Sequence, residues 1–178
     1  DKSGRTALFY ACQRNDVDIA KRLVILRAAL NAKATNGMTP LMVASQEGNT
    51  CVAKWLLKNK ARVGDTDEQG WTPLFFSCQE GLLNLSQRLL RAKAGPSVRG
   101  RDGNAPMNVC ARAGHLELAK ALFARRADIN NFAFDAASPL YTAIVEHNKS
   151  VAHWLLDMHC DIDHRTPKGI ALAEVAQE

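Results

Sequence analysis

Apolar residues follow a repeating pattern along the chain. They fall at Ile19, Leu23 and Val24, then at Val52, Leu56 and Leu57, and then at Leu85, Leu89 and Leu90. Leu118, Leu122, Phe123 and Val151, Leu155, Leu156 continue the series, each set displaced by 33 residues from the one before. This spacing puts three apolar side chains on one helical face and predicts five amphipathic helices. A shorter apolar stretch precedes each, opening at Thr6-Ala7-Leu8, Thr39-Pro40-Leu41, Thr72-Pro73-Leu74, Ala105-Pro106-Met107 and Ser138-Pro139-Leu140. A hydroxyl caps orphan backbone N–H groups, and Pro suits the first helical position, where it has no donor to waste. Thr6, Thr39, Thr72 and Ser138 are therefore predicted N-caps. Ala105 lacks the oxygen, and its helix is expected to start less firmly by ~1 kcal/mol. These first helices should end near Arg14, Glu47, Glu80, Ala113 and Glu146. Asn15, Gly48, Gly81, Gly114 and His147 follow, a column rich in residues that accept left-handed backbone.

Glycine keeps the same period. Gly4, Gly37, Gly70, Gly103 and Gly169 share one register and Gly48, Gly81 and Gly114 another, which accounts for eight of the eleven glycines. Each repeat thus reads as turn, helix, tight turn, helix and extended loop. Neither helix can bury its stripe alone, so the repeats are expected to stack at ~8–10 Å spacing into a continuous core. The expected organisation is a single domain over 1–178, with repeats 1–33, 34–66, 67–99, 100–132 and 133–165 and a partial one at 166–178. The opening Asp1-Lys2-Ser3-Gly4 has no initiator Met and no leader pattern, and suggests an excised segment of a longer chain.

The segments Asn36-Gly37-Met38-Thr39-Pro40-Leu41-Met42-Val43-Ala44 and Gln69-Gly70-Trp71-Thr72-Pro73-Leu74 resemble ankyrin repeats. So do Ala113-Gly114-His115-Leu116-Glu117-Leu118-Ala119-Lys120 and Ala127-Asp128-Ile129-Asn130, and the likeness covers essentially the whole chain. It implies an all-α repeat solenoid of helix-turn-helix repeats with β-hairpin-like finger loops. The family's usual His after T-P-L is replaced by Phe9, Met42, Phe75, Asn108 and Tyr141, so packing is expected to replace the hydrogen bonds that His makes between loops. Two further departures are Ala136 at a turn-glycine position and Gly95-Pro96 where other repeats carry an aliphatic residue. The joint between repeats three and four is expected to be the softest.

Composition adds little that conflicts. Of 178 residues, 47 % are apolar and 23 % charged, ordinary for a globular chain, and the longest uncharged apolar runs are too short to cross a bilayer. Five Cys without a C-x-x-C pair imply neither a disulfide framework nor a zinc knuckle, and suggest a reducing, intracellular and cytoplasmic setting, with the nucleus as an alternative. Cys12 and Cys78 share a column inside the first helix and read as small core residues. No phosphate-binding loop, H-E-x-x-H or nucleophile elbow occurs. His153, His159, Cys160, Asp161, Asp163 and His164 are dense but fall on a helix face, a helix end and a loop, so no metal site is expected. The chain is accordingly expected to be non-catalytic, with no cofactor.

The resemblance implies protein binding on the concave face formed by fingers and first helices. On that face the candidate partner residues are Arg5, Met38, Trp71 and Asn104 in the finger column, with Gln46, Glu47, Gln79, Glu80, Arg112 and Glu146 at first-helix ends and Phe134 in the fifth finger. Trp71 is assigned to partner binding because aromatics and Arg anchor interfaces, the alternative being that it folds back over its own helix start. Phe132 and Phe134 read either as finger packing or as a second apolar contact. Trp55 and Trp154 read as core or back-face residues. Glu47, Glu80 and Glu146 form an acidic column in a chain of net charge +5, which points to a partner with Arg or Lys plus an apolar anchor.

The positive charge gathers at the ends of the second helices, where Arg27, Lys60, Lys93, Arg126 and His159 share a column. Favourable interaction with the helix dipole explains it, worth ~0.3–1 kcal/mol each. A rim for nucleic acid or an anionic surface is the alternative, although no aromatic platform accompanies it. A further alternative is a regulatory or substrate-recruiting module of an enzyme whose catalytic part lies outside the segment. The Leu122…Asp128-Ile129-Asn130 pattern resembles that at which ankyrin-repeat asparagines are hydroxylated, making Asn130 a candidate for modification.

Overall fold

A computed structural model describes residues 1–135 and 137–162. The expectations that concern Ala136, Asp163, His164, Gly169 and the partial repeat at 166–178 lie outside the described residues. Among the described residues ten helices occur in five pairs. They are α1 (Ala7–Gln13) and α2 (Val17–Ile25), α3 (Pro40–Gln46) and α4 (Thr50–Lys58), α5 (Pro73–Gln79) and α6 (Leu83–Arg91), α7 (Pro106–Ala113) and α8 (Leu116–Phe123), and α9 (Pro139–Val145) and α10 (Lys149–Asp157). The described residues contain no strand.

The helix starts follow directly from local chemistry. The side-chain oxygens of Thr6, Thr39, Thr72 and Ser138 accept the N–H of Phe9, Met42, Phe75 and Tyr141. Ala105, as expected, offers no side-chain cap. Asn108 Oδ1 accepts the Ala105 N–H at 3.2 Å, while the Asn108 N–H turns to the Ala105 carbonyl at 3.0 Å. The Asn108 N–H that a hydroxyl would have accepted is thereby engaged by a backbone carbonyl, and the Asn108 side chain reaches back to the Ala105 N–H. The predicted left-handed column adopts that conformation, and so does the basic column at the second-helix ends. Asn15 and His147 each have φ +57°, and Arg27, Lys60, Lys93, Arg126 and His159 lie between +54° and +68°.

The chain divides into two compact units, Asp1–Gly95 and Pro96–Glu178. In the first, α1, α3 and α5 pack side by side in one layer and α2, α4 and α6 in a second. Leu8, Leu41, Leu56, Leu74, Leu85 and Leu89 fill the space between the layers. Asn49 ties neighbouring repeats together by donating to the carbonyls of Cys12 (2.9 Å) and Gln13 (2.7 Å). In the second unit α7 packs on α9 and α8 on α10, around Ala111, Leu140, Ala143, Val151 and Leu155. Asn148 repeats the clasp, donating to Ala111 (2.9 Å) and Arg112 (2.7 Å) carbonyls.

Finger loops close as tight turns within each unit. Ala34 N–H reaches Met38 O and Asp67 N–H reaches Trp71 O, and the Glu68 N–H then links one finger to the next through Asn36 O. The Gly103 turn needs glycine twice over, for its φ of +80° and because a Cβ there would meet Phe134 N at 2.7 Å. Two burial expectations fail. Ile19 is 51 % exposed although its counterparts Val52 and Leu85 are fully buried. In those repeats the second helix of the preceding repeat packs beside the position, α2 against α4 and α4 against α6, and α2 has no such helix before it among the described residues. The third stripe position varies from repeat to repeat, with Leu90 buried but Phe123 and Leu156 both exposed.

Candidate protein-interaction face

The finger column separates into side chains turned inward and side chains left outside. Met38 and Asn104 are buried, at 6 % and 7 % exposure, so neither is presented to a partner as the sequence led us to expect. Asn104 is held by its own finger: its amide donates to Asp102 Oδ2 at 2.8 Å. Arg5 is half-buried, with its guanidinium 5.4 Å from the centre of the Phe9 ring. Trp71 is half-buried and stacks on Phe75, with ring centres 4.7 Å apart and planes 9° from parallel. It also meets Phe76 edge-on at 5.8 Å. Trp71 therefore does fold over its own helix start, and Nε1 is buried without a hydrogen-bond partner among the described residues. Offset or edge contacts of this kind stabilise by about 0.5–1.5 kcal/mol beyond burial, so the ring has a structural function whatever else it does.

The first-helix ends are exposed. Gln46 and Gln79, the last residues of α3 and α5, and Glu47 and Glu80, their C-caps, stand outside on adjacent helices of the first unit. Gln13 donates to Glu47 Oε1 at 3.3 Å. Neither Glu47 nor Glu80 has an ion pair among the described residues, where the bridges are Lys21–Asp18 and Lys120–Glu117. In the second unit Arg112 and Glu146 are exposed. Phe134 is 78 % exposed at the tip of its finger, the most exposed large apolar side chain described. Phe132 is half-buried in the same finger, Trp55 is half-buried on α4, and Trp154 packs edge-on against Phe123 at 5.8 Å.

Asn108 was missed as a polar anchor. Packing does replace the absent His at Phe9, Met42 and Phe75, all buried. Asn108 instead hydrogen-bonds across the fingers, donating to the carbonyls of Asn131 and Ala137 at 3.2 Å each and accepting from Asn131 Nδ2 at 2.6 Å. Asn131 Nδ2 also lies 3.1 Å from Gly103 O. Asn49 and Asn148, the inter-repeat clasps, were equally unforeseen; the signal was an Asn directly after Gly48 and His147.

The remaining candidates occupy structural positions. Arg27, Lys60, Lys93 and Arg126 are exposed beyond the second-helix ends in left-handed backbone. That geometry favours glycine, so the dipole and solvent, and not φ, account for the basic side chains. Asn130 is half-buried, and its Oδ1 accepts the Asp161 N–H at 2.9 Å. Cys12 and Cys78 are fully buried, and burial pushes the Cys12 thiol up to about 12. Burial likewise raises the Cys160 thiol. Among the described residues no three metal-ligating side chains converge, and no helix is long and apolar enough to cross a membrane.

Stacked helix pairs joined by hairpin-like fingers define a helical repeat protein of the solenoid class. A sequence profile of ankyrin repeats matches in three copies, over residues 1–67, 49–133 and 87–166, and the chain belongs to the ankyrin-repeat family. No curated protein matches it at a significant level. Repeats of this family are generally non-catalytic and bind protein partners.

Proposed function

We propose that the chain is a non-catalytic interaction module whose first-helix face takes a basic peptide or domain with one apolar anchor. The observation that supports this reading is the pair Glu47 and Glu80. They are exposed one repeat apart on packed helices, and no cation neutralises them among the described residues. Carboxylates left uncompensated in a chain of net charge +5 are poised to steer a cationic ligand. Gln46 and Gln79 beside them supply amide donors and acceptors for a peptide backbone. Trp71 lies beyond the other end of α5 from Glu80, nine residues away or about 13 Å even at the helical rise of 1.5 Å per residue, and its exposed half offers the apolar contact.

The test uses Arg/Lys-rich peptides carrying a single Leu or Phe, with binding read by fluorescence anisotropy. A Glu47→Lys/Glu80→Lys variant should lose affinity about tenfold or more, with the folded state confirmed by circular dichroism. Equal affinity for wild type and variant would refute the reading.

A further inference from the structure

The outer face of the first unit carries a second, oppositely charged feature. A groove between α4 and α6 is lined by Lys54, Leu57, Lys58, Arg88, Arg91 and Ala92. Four of the six are cations and none is acidic. All four cations are exposed, and none has an ion pair among the described residues.

Comparison between repeats separates this cluster from ordinary helix-surface charge. Lys21, Lys54 and Lys120 occupy one column. Lys21 is paired with Asp18 at 3.0 Å and Lys120 with Glu117 at 2.8 Å, each three residues earlier on its own helix. On α4 and α6 the acidic position of that column holds Cys51 and Asn84. Neither α4 nor α6 contains an Asp or Glu. Lys54 and Lys58 are i, i+4 neighbours and Arg88 and Arg91 i, i+3 neighbours, so like charges face each other along both walls. Helix-dipole complementation accounts for Lys58, Arg88 and Arg91 in the last turns, but Lys54 stands mid-helix, where the dipole gives nothing. Helices packed ~8–10 Å apart keep the four charges within about one Debye length, so their potentials add.

We infer that the α4–α6 groove is a binding site for an acidic peptide segment with an apolar residue between its carboxylates. Charge complementarity identifies the acidic partner. The floor selects a peptide over a polyphosphate chain: Leu57 and Ala92 give an apolar strip between cationic walls, and no aromatic ring lines the groove for a base to stack on. This site is independent of the Glu47–Glu80 face and opposite to it in charge.

The full chain is titrated into three fluorescent probes. They are a short Glu-rich peptide with Leu at every fourth position, the same peptide with Ser replacing Leu, and a single-stranded oligonucleotide of equal charge. The Leu peptide should bind most tightly, weaken as salt is raised, and lose roughly tenfold or more with Lys54→Glu/Arg91→Glu. Reversing these exposed positions places opposite charges beside Lys58 and Arg88, so the fold should persist, as urea unfolding will show. Glu47→Ala/Glu80→Ala should leave this binding unchanged, so failure here is distinguishable from failure at the other face. Equal binding by the double reversal, equal binding of the Ser peptide, or tighter binding of the oligonucleotide would each overturn the assignment.

Discussion

Lys60 closes α4 with φ +63°, a conformation that costs an L-residue about 1–2 kcal/mol and glycine nothing. Replacing it by Gly removes that strain but frees the unfolded chain, which returns about 0.4–1 kcal/mol. Replacing it by Ala keeps the strain. Both substitutions lose the same charge, so their difference isolates the backbone. Lys60→Gly should therefore be more stable than Lys60→Ala by about 0.5–1 kcal/mol. At Lys54, exposed in the middle of α4, the order should reverse by about 1 kcal/mol, because Gly is the poorer residue in right-handed helix. Urea unfolding of the four variants, followed by far-ultraviolet circular dichroism, measures both differences. Salt at two concentrations checks that the charge contribution cancels within each pair. If Lys60→Ala is as stable as Lys60→Gly, the left-handed C-terminal position does not strain the native chain, and the structural account of that column fails.

Further outcomes follow from the same geometry. Asn108→Ala should destabilise by about 2–4 kcal/mol, since it removes the side-chain partner of the Ala105 N–H and the Asn131 carbonyl in a buried site and leaves Asn131 Nδ2 only Gly103 O; amide exchange should quicken across residues 100–135. Trp71→Phe should cost less than about 1 kcal/mol, since it retains an aromatic stack and removes a buried unpartnered N–H, whereas Trp71→Ala should cost about 2–3 kcal/mol, as calorimetry would show. Cys51, which is exposed, should react with a thiol reagent in the native state, and Cys12 only on unfolding. The Cys12 thiol lies at about 12 when folded against 9.0 when free, so its contribution to stability is complete below pH 9.0 and declines as pH rises toward 12. A Cys12→Ala variant should lose that part of the alkaline decline.

The elements were legible because each is a local event repeated five times. A Thr-Pro pair starts a helix whatever its surroundings, and the period carries the same signal from copy to copy. Burial was less legible because it belongs to the neighbour. Ile19 has the same pattern as Val52 but lacks a preceding repeat's second helix beside it among the described residues. The polar anchors were hidden for a related reason. Asn108 satisfies backbone groups some 23 and 29 residues away, and which carbonyls converge there depends on how one finger lies on the next. For the candidate site, the exposed acids at Glu47 and Glu80 were readable as a column. The inward turn of Met38 and Asn104 was not, since a finger tip that packs on itself has no periodicity to betray it.

A repeat array also supplies its own control for separating structure from function. Where every copy presents the same helix end, as at the left-handed second-helix C-termini, a basic residue follows from the shared dipole and exposure and carries little about a partner. Information specific to this chain sits where a copy breaks a column without a backbone reason. Asp18 and Glu117 neutralise their lysines, but Cys51 and Asn84 leave α4 and α6 with none to offset their charge. Restoring the pairing is cheap on an exposed helix, a single substitution worth about 0.2–0.5 kcal/mol of added stability. Cys51→Glu should thus stabilise the fold by that amount while weakening acidic-peptide binding in the α4–α6 groove. Stability and binding moving in opposite directions from one exposed residue is the signature of charge kept for a ligand. If both rise together, or binding is indifferent, the unpaired lysine is only a solvated surface charge.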